Sequence, residues 1–247
     1  MRILLINPNT TQELTDRLEA AARGVMSEGT ELVAVTAPTG VPYISTRAEA
    51  QIGGVQVLEI LAERHQDFDA AIVAAFGDPG LGAARELFDI PVVGLAEAGM
   101  LTACMLGGKF SIVTFAQALG PWYHECVAWH GLQGRCAGVY MLNGAFSSIN
   151  AVQDEKADLL VDLARQAIDA GDTDTVVLAG APLAGLATRV RDQIPVPIID
   201  CAEAAMKQAE ALAALRPRGA EAGSFKRPAG KPSFGLATAL AARIGGE

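Results

Sequence analysis

The side chains able to hold an ion or carry a proton gather at a few turns of this sequence. Asn7-Pro-Asn-Thr-Thr11 ends an apolar run and precedes a stretch with helical spacing. A helix start aimed past a strand end presents N–H groups to a carboxylate or another anion, so Asn7 and Thr10 are candidate ligand contacts. Phe76-Gly-Asp-Pro-Gly80 follows a second apolar run, and Glu97 lies just beyond a third, Pro91–Leu95. Asp78 suits a helix cap and Pro79 a first helical position. Tyr43 sits in a long loop with two prolines, 37–46, of the kind that often carries function. Trp122, Tyr123, His124, Trp129 and His130 form the one dense cluster of aromatic and imidazole groups. Such a cluster covers a ligand or forms a core or subunit contact. His65, His124 and His130 are too dispersed for a ligand set, and Cys104, Cys126, Cys136 and Cys201 lack metal-ligand spacing. No metal is therefore expected, and the cysteines read as structural thiols of a reducing cytoplasm.

One pattern occurs twice. Asp69-Ala-Ala-Ile-Val-Ala-Ala-Phe-Gly-Asp-Pro-Gly-Leu81 runs on to Ile90-Pro-Val-Val-Gly-Leu95. Asp174-Thr-Val-Val-Leu-Ala-Gly-Ala-Pro-Leu183 runs on to Ile194-Pro-Val-Pro-Ile-Ile199. Each copy reads as a buried strand, a small-residue turn, a short helix, and a strand entered through Ile-Pro. Six residues after the opening Asp stand Ala75 in one copy and Gly180 in the other. Further strands are expected at 2–6, 31–36, 110–115 and 136–141. Helices are expected at about 12–26, 46–64, 98–106, 121–130, 153–170, 183–193 and 202–215. Strands alternating with helices imply parallel sheets with right-handed crossovers.

The fold class is α/β, with two pseudo-symmetric parallel-sheet halves and a cleft between them. The first half takes 1–97 and 200–247, the second 98–199. Ligands of open α/β sheets bind outside the carboxyl ends of the strands. The cleft should then collect Asn7, Thr10, Ala75, Phe76, Gly77, Asp78, Thr114, Phe115, Gly180, Ala181 and Pro182. The basic, Gly/Pro-rich segment 216–231 reads as a strap over the surface, followed by a short helix at 235–244.

With 247 residues, about half of them apolar, the chain can bury a sizeable core. A net charge of −9 argues against a nucleic-acid partner. No apolar run approaches the ~20 residues that span a bilayer, so no membrane partner is expected either. Met1–Asn7 is too short an apolar burst for a signal peptide.

Ile6-Asn-Pro-Asn-Thr10, Phe76-Gly-Asp-Pro-Gly-Leu81, Pro91–Ala98, Leu106-Gly-Gly-Lys-Phe-Ser-Ile-Val-Thr114 and Gly131-Leu-Gln-Gly-Arg-Cys136 together resemble the Asp/Glu/hydantoin racemases. The likeness is to the hydantoin racemase branch and extends from residue 2 to about 215. It implies cofactor-independent chemistry at the carbon next to a carbonyl of a small carboxylate or hydantoin-like cyclic imide, in a homo-oligomer. In that family two cysteine thiols flank the substrate, one removing and one returning the proton, and turn N–H groups hold the enolate oxygen. Here the two thiol positions fall on Ala75 and Gly180, so the chain resembles a racemase lacking both catalytic cysteines. Asp78 and Glu97 are then the leading substitute proton carriers, with His124 and Tyr43 behind them. Cys201, at the end of the last strand, is off the family pattern. A thiol-independent lyase or hydrolase and a non-catalytic binder are the alternative readings. Loss of two thiols should also enlarge the cleft, with Phe76, Phe115, Trp122 and Tyr123 as an apolar wall.

Overall fold

The computed structural model describes residues 1–143 and 147–246. The chain forms two four-stranded, all-parallel sheets. The first contains β1 (Arg2–Asn7), β2 (Glu31–Thr36), β3 (Ala70–Val73) and β4 (Val92–Gly94), in the order β2-β1-β3-β4. The second contains β5 (Phe110–Thr114), β6 (Cys136–Met141), β7 (Thr175–Ala179) and β8 (Ile198–Asp200), in the order β6-β5-β7-β8. The strand order is the same in both sheets, as the repeated pattern implies. Ile3, Leu4, Leu5 and Ile6 of β1 are all fully buried. A central parallel strand is covered on both faces, and this is why it reads as an unbroken apolar run.

The connecting helices are α1 (Gln12–Val25), α2 (Arg47–Arg64), α3 (Leu81–Leu87), α4 (Leu95–Leu106), α5 (Gly120–Trp129), α6 (Val152–Asp169), α7 (Leu186–Val190) and α8 (Cys201–Leu215). Thr46 caps α2 in a full capping box with Glu49. Helix α8 packs on α1 and α4 and touches strands of both sheets. Its inward residues Ala202, Ala205 and Ala209 are small enough for that close approach. One hydrophobic cluster runs from Ile3 and Ile72 of the first sheet to Ile112 and Val177 of the second. A second cluster, with Leu4, Ile6, Val57 and Val73, covers the opposite face of the first sheet.

Two differences from the sequence-based expectation concern helix starts. The helix expected from residue 98 begins at Leu95, so Glu97 lies in its first turn rather than in a free loop. The span 183–193 divides into α7 and flanking 3-10 turns, since Gly185 has a φ of +83°. The C-terminal segment folds back on the first sheet's side. α9 (Thr238–Gly245) packs on α2, and Arg243 donates to Leu87 O and pairs with Asp89.

Candidate functional site: the strand-end cleft

In both sheets the two central strands run side by side and their carboxyl ends align. Ile6 pairs with Val73, and Thr114 with Ala179. The turns after these four strands meet in a cleft between the halves. Tyr43, Ala75, Phe76, Phe115, Gly180, Ala181 and Pro182 line one small cavity there, so seven of the expected contacts are brought together. Its volume is about 30 Å³, room for about one water molecule. A cavity of this size does not hold a ring-sized ligand. The expected enlargement is absent: a Cβ on Gly180 would stand 2.8 Å from Phe115 Cε1 and 3.4 Å from Tyr123 Oη. The Phe115 ring fills the space beside Gly180.

Four side chains join this lining that sequence reasoning passes over as contacts: Asn9, Leu14, Ile44 and Ile149. Tyr123 also lines it, giving a polar tip to the wall expected from its sequence cluster. Asn9 belongs to the motif that singles out its neighbours. Asn7 is buried beneath it and serves the loop: its Nδ2 donates to Asn9 Oδ1 at 3.1 Å and Thr15 Oγ1 at 2.9 Å. Thr10 ties the same loop down, its N–H donating to Val41 O at 3.0 Å. Thr114 Oγ1 donates to Ala179 O at 2.9 Å, joining the two central strands of the second sheet behind the cavity. Tyr123, 2 % exposed, tilts against Phe76 with ring centroids 4.4 Å apart. Burial pushes its phenol well above the ordinary range, so the O–H is retained at neutral pH.

Asp78 and Glu97 point away from the cavity. Asp78 has a φ of +49°, which turns its carboxylate away from α3 and toward the start of α4. Its Oδ1 accepts the N–H of Ala96 at 2.8 Å; its Oδ2 accepts that of Glu97 at 2.9 Å and lies 2.9 Å from His130 Nε2. The cap expected for the following helix is thus a cap for a helix 17 residues further on. Glu97 is held by Arg85 in a two-pronged ion pair and lies 3.6 Å from His130 Nδ1. Gly77 also turns outward. Its N–H is directed at Cys126 Sγ, whose thiol burial pushes far up. A separate cavity of about 390 Å³ is lined by Gly77, Asp78, Cys126 and Trp129, among others.

Among the described residues, Asp78, Cys126 and His130 are the one group of three metal-capable side chains with ligand atoms within 4.8 Å of one another. Each already has a hydrogen-bond partner, which fits a structural network. The sequence hides this group because Asp78 and the α5 pair come from different turns of the fold. Cys201 is buried on the core side, its Sγ donating to Leu178 O at 3.2 Å and packed on Gly99. His124 is exposed on α5. The described titratable side chains lining the 30 Å³ cavity are therefore Tyr43 and Tyr123.

Comparison with known proteins fits this geometry. The family model for Asp/Glu/hydantoin racemase matches residues 3–209. A hydantoin racemase of Paenarthrobacter aurescens is 34% identical over 233 residues, covering 94% of this chain and 99% of the relative. The solved allantoin racemase from Klebsiella pneumoniae superposes with a TM-score of 0.91 at 34% identity, covering 97% of this chain and 98% of that one. The allantoin racemase of Pseudomonas fluorescens gives 0.86 at 30%, covering 95% and 100%. Two matching sheets, the strand-end cleft and near full-length similarity agree: the chain belongs to the Asp/Glu/hydantoin racemase family.

Proposed function

We propose that this chain is a cofactor-independent racemase or isomerase acting at the carbon next to a carbonyl of a small cyclic imide of the hydantoin type. The observation that carries the reading is the cavity where the four central strand-end turns meet, with Ala75 and Gly180 both on its wall. Its relatives racemise hydantoin or allantoin, as their names state. Asp78 ties the Phe76–Gly80 turn to the start of α4 and to His130, and Glu97 ties α4 to Arg85 of α3, so both position the cleft wall. With no thiol at either position, proton transfer falls to water admitted to the cleft and to the titratable groups that line it, Tyr43 and Tyr123.

The test is proton NMR of each enantiomer of a 5-substituted hydantoin in D2O, with and without protein, together with optical rotation. Exchange at the ring carbon above the blank, with loss of optical purity, supports the reading. An intact, unexchanged substrate at high protein concentration overturns it, and a change in product mass would indicate a lyase or hydrolase instead. Tight binding without exchange would identify a binder.

Two further readings accompany this one. Self-association through the α4 face is inferred from exposed Leu101, Met105 and Leu106; light scattering giving the monomer mass would reject it. The four unpaired cysteines support a reducing, cytoplasmic setting. No described helix is long and apolar enough to cross a membrane.

A further inference from the structure

Resting on the imide reading above, we propose that Asn9 is the fixed hydrogen-bond donor of the cleft, and that its side-chain NH2 donates to a ring carbonyl oxygen of the ligand. The orientation of its carboxamide follows from its neighbours. The backbone N–H of Thr11 can only donate, and it donates to Asn9 Oδ1 at 3.0 Å. Asn7 Nδ2 donates to the same oxygen at 3.1 Å. Asn7 is held the same way round, because its Nδ2 also lies 3.2 Å from Thr11 O, which can only accept. Asn9 Oδ1 therefore stays with the loop, and the NH2 group is the end left over. Among the described residues no acceptor takes that group, although Asn9 is only 3 % exposed and lines the cavity. A buried donor without a partner is rare and costly.

The backbone of this loop has little left to offer a ligand. Pro8 has no N–H. The N–H of Asn9 donates to Asn7 Oδ1 at 3.3 Å, that of Thr10 to Val41 O at 3.0 Å, and that of Thr11 to Asn9 itself. The N–H groups expected to meet an anion at residues 9–11 are thus spent inside the loop, and the Asn9 carboxamide stands in for them. The other polar side chains of the lining, Tyr43 and Tyr123, carry hydroxyls that rotate to donate or accept. Asn9 is the lining side chain whose polarity is set by the fold. As packed, the cavity has room for about one water-sized group, and a ring carbonyl projects an oxygen of that size. A ligand without a strong acceptor there leaves the NH2 group buried and unpaired.

The experiment compares three ligands of nearly equal shape: 5-methylhydantoin and its 2-thioxo and 4-thioxo analogues. In each analogue sulfur, a weak acceptor, replaces one carbonyl oxygen. Affinities are measured by calorimetry. The wild type should bind at least one thio analogue about threefold to tenfold more weakly than the hydantoin, the scale of one weakened hydrogen bond. Asn9→Asp keeps an oxygen for Thr11 and Asn7 but sets a second oxygen where the donor stood. It should keep the fold, read by a thermal melt, and bind 5-methylhydantoin about tenfold or more weakly. A wild type that binds all three ligands equally overturns the proposal while leaving the imide reading intact, and this arm needs no variant. A folded Asn9→Asp protein that binds 5-methylhydantoin like the wild type also overturns it. A wild type that binds none of the three and exchanges no proton removes the imide reading and the proposal together.

Discussion

Placing a thiol at Ala75 or at Gly180 tests how tightly the cleft is packed around each position. Ala75→Cys and Gly180→Cys look like equivalent changes in sequence, but the structure makes them unequal. Ala75 already carries a Cβ, and its change adds one sulfur beside a cavity of about 30 Å³. Gly180 has a φ of +111°, where an L-residue is strained by about 1–2 kcal/mol. Its new Cβ would also lie 2.8 Å from Phe115 Cε1, in a contact that requires the ring to move. Overpacking of this kind costs about 1–3 kcal/mol. Gly180→Cys should therefore lose about 2–5 kcal/mol. For a chain of this size that lowers the melting temperature by roughly 4–20 °C. Ala75→Cys should stay within about 1 kcal/mol of the parent. Urea unfolding and thermal melts of the two single variants under reducing conditions measure both quantities. If Gly180→Cys melts within about 2 °C of the parent, the steric argument is refuted. It fails equally if Ala75→Cys is the more damaged of the two.

Other consequences follow from the network around the turn and from one buried carboxylate. Asp78→Ala removes the cap of α4 and the partner of His130; a loss of about 2–4 kcal/mol is expected by chemical denaturation. Gly77→Ala places a methyl group in the Trp122 ring at a φ of +104° and should cost at least about 2 kcal/mol, read as a lowered melting point. Glu210 feels burial, which raises its carboxyl. Hydrogen bonds from Lys207, Thr30 and Ser27 outweigh it and hold the group at about 2. Its folded value lies below the unfolded one, so its contribution is full above about pH 4.5 and is lost as pH falls toward 2. Glu210→Gln should be less stable at pH 7 by roughly 1–3 kcal/mol, and this difference should vanish near pH 2 in paired denaturation curves.

The sequence discloses what depends on neighbours along the chain. The buried strands, the repeated turn and the capped start of α2 are set within a few residues, and all appear where their patterns place them. The turn positions of Ala75 and Gly180 are legible for the same reason, since each sits a fixed distance from a strand that the repeat defines. The aim of individual side chains is less legible. Asp78 reads as serving the helix next to it, whereas its positive φ sends the carboxylate to α4 and to His130 on α5. Nothing local distinguishes these two outcomes, because both begin with the same Asp-Pro-Gly turn.

Tyr123 poses the same problem with a larger consequence. Its sequence neighbours mark an aromatic helix, but which ring enters the cleft depends on how α5 docks across the turns of both sheets. Trp122 goes to the outer face against Gly77, and Tyr123, one residue later, goes to the cavity against Gly180. Gly77 lies directly under the Trp122 ring, and Gly180 lies under Phe115 with the Tyr123 hydroxyl beside it. A thiol at Gly180 and the present position of the Phe115 ring therefore compete for one space. The residue at position 180 is coupled in this way to the packing of the second half.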